Sequence, residues 1–163
     1  MARALFHVQL NVRDFDRSVA FYKSLGFVEQ TGFLPGPGFV PPSPSSRADL
    51  AAALGVDTAG ISVTMLRFRD DPLMHLQLQG WSSRLVDNPV HGKMNALGVA
   101  RICFLVDDLD AELALLKRLG LPLVASLEFK NLQWGDTRAA MFRDPDGILL
   151  EYTQVQSYTE RNQ

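Results

Sequence analysis

Residues 142–152, Phe-Arg-Asp-Pro-Asp-Gly-Ile-Leu-Leu-Glu-Tyr, place an acid in the middle of an apolar segment. The Asp-Pro-Asp-Gly part predicts a turn, because proline presets φ and glycine is free to adopt φ > 0. The apolar residues after it predict a strand that starts near Ile148. Successive strand side chains point to opposite faces, so Glu151 faces away from Leu150 and Tyr152. A carboxylate removed from water is costly unless it is paired, so Glu151 requires a partner elsewhere in the sequence.

The N-terminal half predicts a strand, a helix and three further strands. Residues 5–12 alternate in polarity, which places His7, Gln9 and Asn11 on one face of the first strand. A helix then starts at a capping aspartate and ends at Gly26. The remaining strands are predicted over residues 27–33, 61–68 and 73–79, with a loop rich in proline and glycine at 34–45 and a short helix at 46–54. We expect the loop to be mobile and to act as a lid.

The pattern begins again at Arg101, and this repeat is the most informative feature of the sequence. Residues 101–121 match residues 7–27 without a gap, and Phe68-Arg69-Asp70 matches Phe142-Arg143-Asp144 at the other end. Each half is therefore predicted to be one strand, one helix and three strands. A unit of that size does not bury its sheet face well alone.

The repeat also relates four polar residues in pairs. His7 and Arg101 hold equivalent places on the first strands, and Gln77 and Glu151 hold equivalent places on the last strands. All four fall on the face opposite the apolar stripe that packs on the helices. If the two sheets curve and meet, these positions line one cavity, to which Cys103 also contributes.

With these residues in view, the sequence resembles the vicinal oxygen chelate superfamily, which includes glyoxalases, bleomycin-resistance proteins and extradiol dioxygenases. The likeness covers nearly the whole chain except an insertion at 34–56. It implies an α+β fold of two βαβββ modules, about residues 4–80 and 99–156, forming a curved mixed sheet around a shared cavity. The likeness rests on residues 7–14 (His-Val-Gln-Leu-Asn-Val-Arg-Asp), 104–110 (Phe-Leu-Val-Asp-Asp-Leu-Asp) and 142–147 (Phe-Arg-Asp-Pro-Asp-Gly) with Glu151.

The resemblance also implies a divalent metal held by the first and last strands of each module. Its four ligand positions fall on His7, Gln77, Arg101 and Glu151. Imidazole, amide oxygen and carboxylate can bind Zn, Ni, Fe or Mn, so His7, Gln77 and Glu151 are the predicted metal ligands. A guanidinium has no lone pair to donate, and Arg101 therefore departs from the family pattern.

Three interpretations of Arg101 are open. It pairs with Glu151 and replaces the metal, or it binds an anionic group of the substrate, or it turns aside while the other three positions hold a metal. In the third case His75 could supply a further imidazole. The broken ligand set makes an extradiol-type dioxygenase the least favoured activity.

These residues and the resemblance together predict a small-molecule enzyme of the lyase or isomerase class that stabilises an enolate or similar oxyanion. Either Glu151 or His7 moves the proton, and Arg101, with or without a metal, neutralises the developing charge. The alternative is a non-catalytic protein that sequesters an antibiotic or metabolite. By resemblance alone we expect a homodimer. The predicted substrate contacts are Gln9, Asn11, His75 and Arg101.

The composition narrows the classes of partner. The 163 residues, 47% hydrophobic and 21% charged, are typical of a globular protein, and the net charge of -2 gives no electrostatic footprint for nucleic acid or an anionic membrane. The single cysteine, Cys103, excludes an internal disulfide and is expected to serve in packing. No apolar signal segment or stretch of about 20 apolar residues is present. We expect a soluble cytoplasmic protein that binds a small molecule.

Several other polar residues have ordinary structural explanations. The aspartates within 107–110 precede a predicted helix, where they cap it and oppose its dipole. Asp144 and Asp146 are expected to be turn residues. His91 lies in a predicted loop and is not assigned a function.

Overall fold

The structure, a computed structural model, describes residues 7–30, 61–71, 74–81, 85, 99–132 and 135–156. The chain divides into two compact units, Met1–Asp87 (unit 1) and Asn88–Gln163 (unit 2). Within the described ranges, no helix has the length and apolar character needed to cross a membrane. The predicted loop at 34–45, the predicted helix at 46–54 and His91 lie outside the described residues.

Unit 1 contains a helix and a four-stranded mixed sheet. Its elements in chain order are β1 (His7–Val12), α1 (Phe15–Ser24), β2 (Phe27–Glu29), β3 (Ile61–Phe68) and β4 (His75–Trp81). The strand order is β1-β4-β3-β2, with β1 parallel to β4 and the other neighbours antiparallel. The strand β4 begins and ends two residues later than the sequence pattern predicts.

Unit 2 repeats this arrangement. Its elements are β5 (Ile102–Leu105), α2 (Leu109–Arg118), β6 (Ala125–Leu132), β7 (Gly135–Arg143) and β8 (Leu149–Val155). The strand order is β5-β8-β7-β6, and β5 is parallel to β8. The predicted α+β class, with two repeated βαβββ modules, is confirmed.

The helices α1 and α2 occupy equivalent positions in the repeat, and each starts one residue after a capping aspartate. The carboxylates of Asp14 and Asp108 each accept a hydrogen bond, 3.0 Å long, from the backbone N–H three residues later. Gly26 and Gly120 follow the two helices with φ of 97° and 71°, a conformation that glycine adopts at little cost. The signals that start and stop both helices are therefore local.

The helix α1 packs against one face of its sheet and forms the core of unit 1. Tyr22 and Leu78 are fully buried between them, and each such side chain contributes about 1.5–3 kcal/mol by leaving water. Phe15 reaches the sheet at Gly80, where an added Cβ would lie 3.0 Å from the Phe15 Cβ. The absence of a side chain at Gly80 therefore lets the start of α1 approach β4.

The core of unit 2 is built in the same way between α2 and its sheet. Leu116 on the helix and Phe142, Leu150 and Tyr152 on the strands are buried. The rings of Phe142 and Tyr152 have centroids 4.9 Å apart, a separation at which aromatic pairs are attractive. Because this face is filled, Glu151 and its neighbours on the opposite face are left for other contacts.

The strand pairing corrects one part of the ungapped sequence match. Leu76 and Leu150 hold equivalent places beside the first strand of each unit. Leu66 pairs with Leu76, and Phe142 pairs with Leu150. Leu66, and not Phe68, is therefore the structural equivalent of Phe142. Both are fully buried, and a shift of two residues keeps every side chain on its face.

The turn before β8 has the chemistry that its sequence predicts. The Oδ1 atom of the buried Asp144 accepts hydrogen bonds from the backbone N–H groups of Asp146 at 2.9 Å and Ile148 at 2.8 Å. Gly147 has φ of 88°, and its N–H donates to the Asp144 carbonyl at 3.0 Å. This turn fixes the start of β8 at Leu149 and with it the face on which Glu151 lies.

Candidate functional site

Glu151 is held by three side chains from β8, from β5 and from the residue before β5. Its side chain is only 8% exposed. The parallel pairing of β5 and β8 sets Cys103 directly beside it, and Thr153 follows two residues later on the same face. The Nε atom of Arg101 lies 2.8 Å from Oε2 of Glu151. Of the three interpretations of Arg101, the structure has the one in which it pairs with Glu151.

The two carboxylate oxygens of Glu151 have different surroundings. Oε1 accepts a hydrogen bond from the Thr153 hydroxyl at 2.8 Å and one from the Cys103 thiol at 3.4 Å. Oε2 is buried and has no hydrogen-bond donor within the described structure, although the Nε atom of Arg101 lies 2.8 Å away. Oε1 is therefore fixed by donors, while Oε2 keeps its lone pairs available beside a positive charge.

Arg101 is more accessible than its partner, since its side chain is 39% exposed. Among the described residues, Glu151 is its one ion-pair partner. The contact is made by Nε, so among the described residues the two terminal amino groups of the guanidinium are left for another acceptor. A guanidinium presents five N–H donors in a planar fork that suits carboxylates and oxyanions.

Cys103 belongs to this cluster and does not pack in the core. The residue is exposed, so the predicted packing role is wrong. Its Sγ atom lies 3.1 Å from the Thr153 hydroxyl oxygen, and that hydroxyl donates its one hydrogen to Glu151. Partial burial of the sulfur beside Glu151 and Thr153 raises the pKa of the Cys103 thiol, and the negative charge of Glu151 raises it further, although the Thr153 contact opposes both. The thiol is therefore a hydrogen-bond donor at neutral pH and a poor nucleophile.

The equivalent face of unit 1 carries imidazole and amide side chains. The pairing of β1 and β4 sets His7 beside His75, Gln9 beside Gln77 and Asn11 beside Gln79. His75 is buried and His7 is exposed. The diagonal pair His7 and Gln77 corresponds in the repeat to Arg101 and Glu151, as the sequence predicts. Unit 2 therefore holds a charged pair where unit 1 holds an imidazole and an amide.

The amides of unit 1 bind one another. Gln77 Nε2 donates to Oε1 of Gln9 and to Oε1 of Gln79, both at 3.3 Å. Asn11 Oδ1 accepts from Gln9 Nε2 at 3.2 Å and from the indole N–H of Trp81 at 2.9 Å. This network uses both N–H groups of Gln77, so its remaining polar atom toward a ligand is an acceptor, Oε1.

A comparison with protein families identifies the relationship. The sequence profile of the Glyoxalase/Bleomycin resistance protein/Dioxygenase superfamily matches residues 4–152. The chain belongs to this superfamily. A search of curated proteins finds no match.

Solved structures of this superfamily share the fold. The chain is similar to a glyoxalase family protein from Bacillus cereus, with a TM-score of 0.67, 18% identity and coverage of 94% of this chain and 95% of that one. It is also similar to a glyoxalase/dioxygenase from Nostoc punctiforme, with a TM-score of 0.64, 20% identity and coverage of 94% and 91%. A glyoxalase/bleomycin resistance protein/dioxygenase domain from Frankia sp. gives a TM-score of 0.63, 20% identity and coverage of 96% and 94%. At these identities the likeness establishes the fold alone.

Glyoxalase-superfamily proteins often use a divalent metal, and the surroundings of Glu151 in unit 2 do not fit one. Oε1 already accepts two hydrogen bonds, and Oε2 faces the guanidinium of Arg101, which would repel a cation. In the part of the chain that the structure describes, no three His, Cys, Asp or Glu residues form a group able to hold a metal. The predicted ligand set His7, Gln77 and Glu151 combines residues of both units and stays a prediction, as does the shared cavity.

Thr153 belongs to the Glu151 cluster but was not predicted as a site residue. A detectable signal was present, because Thr153 follows Glu151 by two residues and therefore shares its face. Asp108 is a helix cap as predicted, and Asp110 is bound by Arg138 through two contacts of 3.0 and 2.7 Å on the opposite face of the sheet.

Proposed function

We propose that this protein is a small-molecule enzyme of the lyase or isomerase class, in which Glu151 moves a proton and Arg101 stabilises the resulting oxyanion. The observation that carries the proposal is the asymmetry of the Glu151 carboxylate. One oxygen is fixed by Thr153 and Cys103, and the other is buried beside Arg101 without a hydrogen-bond donor. His7 stays the alternative proton carrier, and Gln9, Asn11 and His75 stay proposed substrate contacts.

In the proposed reaction, Oε2 of Glu151 removes a proton from a carbon next to a substrate carbonyl. The electron pair of the broken C–H bond moves into the carbonyl, whose oxygen becomes negative. The terminal amino groups of Arg101 donate hydrogen bonds to that oxygen, where they are most effective because the charge develops there. Return of the proton to a neighbouring atom gives an isomer, and loss of a group from the next carbon gives a lyase product. Neither route needs an oxidant or reductant.

The division of labour between the two residues follows from their chemistry. A guanidinium stays protonated at any working pH, so Arg101 can supply charge and hydrogen bonds but cannot remove a proton. A carboxylate can do so, and the Thr153 hydroxyl holds Glu151 in one orientation through the oxygen that does not react. General bases positioned in this way typically contribute about 10²–10⁴-fold to a rate.

Solvent hydrogen exchange tests the proposal without knowledge of the full reaction. The protein is incubated in D₂O with pyruvate, 2-oxobutyrate or phenylpyruvate, and loss of the proton signal next to the carbonyl is followed by NMR. We expect exchange above the buffer rate, its loss in Glu151→Gln, and a reduced rate in Arg101→Gln. Exchange by Glu151→Gln at the native rate would refute the role of Glu151.

Arg138→Gln is the matched control, because Arg138 also pairs with a carboxylate in unit 2 but faces the helix side of the sheet. This variant is expected to exchange at the native rate. A general loss of charge or stability would affect both arginine variants, whereas the proposed chemistry affects only Arg101→Gln.

The second candidate function is sequestration of a small molecule without chemistry. The observation that favours it is the exposure of large apolar side chains on the Glu151 face of unit 2, namely Leu105, Leu127 and Phe129. A binding protein would retain the 2-oxo acid without catalysing exchange, and Glu151→Gln would leave its affinity unchanged. We further propose a homodimer, on the resemblance to the superfamily alone.

A further inference from the structure

We infer that the Glu151 face of unit 2 binds a small organic acid with an apolar body, whose carboxylate is held by Arg101. The inference rests on the proposed site but not on its chemistry, since it applies equally to an enzyme and to a binding protein. It is argued from the distribution of charge and apolar side chains over one face of one sheet.

The positive charges lie at one end of this face. Arg101 precedes β5 by one residue, which places it beside Leu149, and Leu149 pairs in turn with Arg143 on β7. Arg143 Nη1 donates to the Gly147 carbonyl at 2.6 Å, so part of its donor set is used within the turn. Within the described part of the chain, the terminal amino groups of Arg101 are the donors at this end that remain to bind a carboxylate.

Apolar side chains lie at the other end of the same face. Leu105 pairs with Thr153, Thr153 with Ala139, and Ala139 with Leu127, so these four residues form one row across the sheet. Phe129 is two residues beyond Leu127 on β6 and therefore shares its face.

These large side chains are unusually accessible. Leu105, Leu127 and Phe129 are 55%, 38% and 43% exposed. Leaving them in water forgoes the free energy of burying their apolar area. Leu127 and Phe129 lie together on β6, whereas Leu105 lies on the other edge strand, β5, and Ala139 between them is buried. An apolar group that covered the exposed side chains would recover that free energy, and exposed apolar side chains of this kind mark ligand or partner sites.

The geometry sets the size of the ligand. Leu105 lies diagonally across one strand pair from Glu151, a separation of about 7–8 Å. Leu127 is two strands away, and neighbouring strands are about 4.8 Å apart, so it lies about 12 Å from Glu151. A carboxylate bound at Arg101 therefore needs an attached chain or ring to reach these residues, and acetate is too short.

Charge selects an acid in preference to a neutral amphiphile or a second copy of this chain. The apolar row alone would suit any of the three. Arg101 offers a planar set of N–H donors next to the buried carboxylate of Glu151. A second anion accepts hydrogen bonds from these donors more strongly than a neutral group does.

The test measures binding of butyrate, hexanoate and octanoate, each beside its primary amide, by isothermal titration calorimetry with the whole chain. We expect affinity to rise from butyrate to octanoate, by at most about fourfold for each fully buried methylene, and each acid to bind more tightly than its amide. Arg101→Gln should remove the preference for the acid and keep the dependence on chain length. Leu127→Ser should flatten the dependence on chain length and keep the preference for the acid.

Several results would overturn the inference. These are equal binding of acid and amide by the native protein, affinity that does not change with chain length, and absence of binding by octanoate. The native protein could form a dimer that Leu127→Asp dissociates and that octanoate does not weaken. That result would assign the apolar row to contact with a second copy of the chain. If the protein binds the acids but does not catalyse hydrogen exchange, only the proposed enzyme chemistry is rejected.

Discussion

The pairing of Arg101 with Glu151 makes a quantitative prediction for unit 2. At the observed separation of 2.8 Å, two unit charges attract by about 6 kcal/mol if the effective dielectric constant is about 20. Water screens this attraction because Arg101 is 39% exposed. Exposed pairs contribute about 0–1 kcal/mol, and breaking a buried pair costs about 3–5 kcal/mol. We therefore expect a coupling free energy of about 2 kcal/mol for this half-buried pair.

A double-mutant cycle of Arg101→Gln and Glu151→Gln measures the coupling, with the free energy of unfolding taken from urea denaturation of the full chain. Arg101→Gln should cost more than Glu151→Gln, because it leaves a buried carboxylate oxygen without its positive neighbour, whereas an accessible arginine without a partner stays hydrated. The cycle of Arg138 and Asp110, an exposed pair, should give a smaller coupling. A coupling near zero at Arg101 and Glu151, or equal costs of the two single changes, would refute this account of the site.

Three further predictions concern single residues. Glu151→Gln is expected to speed alkylation of Cys103 by iodoacetamide at pH 8. Burial is the main cause of the raised thiol pKa, but the substitution removes the Glu151 charge, which raises this pKa further. An unchanged alkylation rate would contradict the contact between Cys103 and Glu151. Asp108→Ala should lower the free energy of unfolding by about 1 kcal/mol through loss of the α2 cap, measured by urea denaturation. Gly80→Ala should lower the free energy of unfolding by about 1–3 kcal/mol, because the added methyl group displaces Phe15 from β4. A melting temperature at or above the native value would show that the helix moves without loss of stability.

Much of the fold could be predicted because its signals are local. The capping aspartates and the glycines with positive φ fix both helices within a few residues. The Asp-Pro-Asp-Gly turn fixes the start of β8, and the alternation of side chains fixes the face on which Glu151 lies. The repeat then pairs His7 with Arg101 and Gln77 with Glu151, and the strand registers agree.

The hairpin register could not be predicted in the same way. The match of Phe68 with Phe142 is strong in sequence, yet the core selects Leu66 for that place. A shift of two residues preserves the alternation of faces, so the sequence pattern is equally consistent with both registers. Packing against the helix decides between them.

The sequence by itself therefore determined the repeated modules, the ends of the helices and the identity of the polar residues on each sheet face, since these depend on neighbours a few positions apart along the chain. Only the tertiary structure decided that Arg101 approaches Oε2 of Glu151, and that Thr153 and Cys103 bind Oε1. The contacts of Arg101 and Cys103 with Glu151 join residues 50 and 48 positions apart in the sequence, whereas Thr153 follows Glu151 by two positions. Their distances depend on strand register and side-chain rotamers, which are set by the packing of the whole unit.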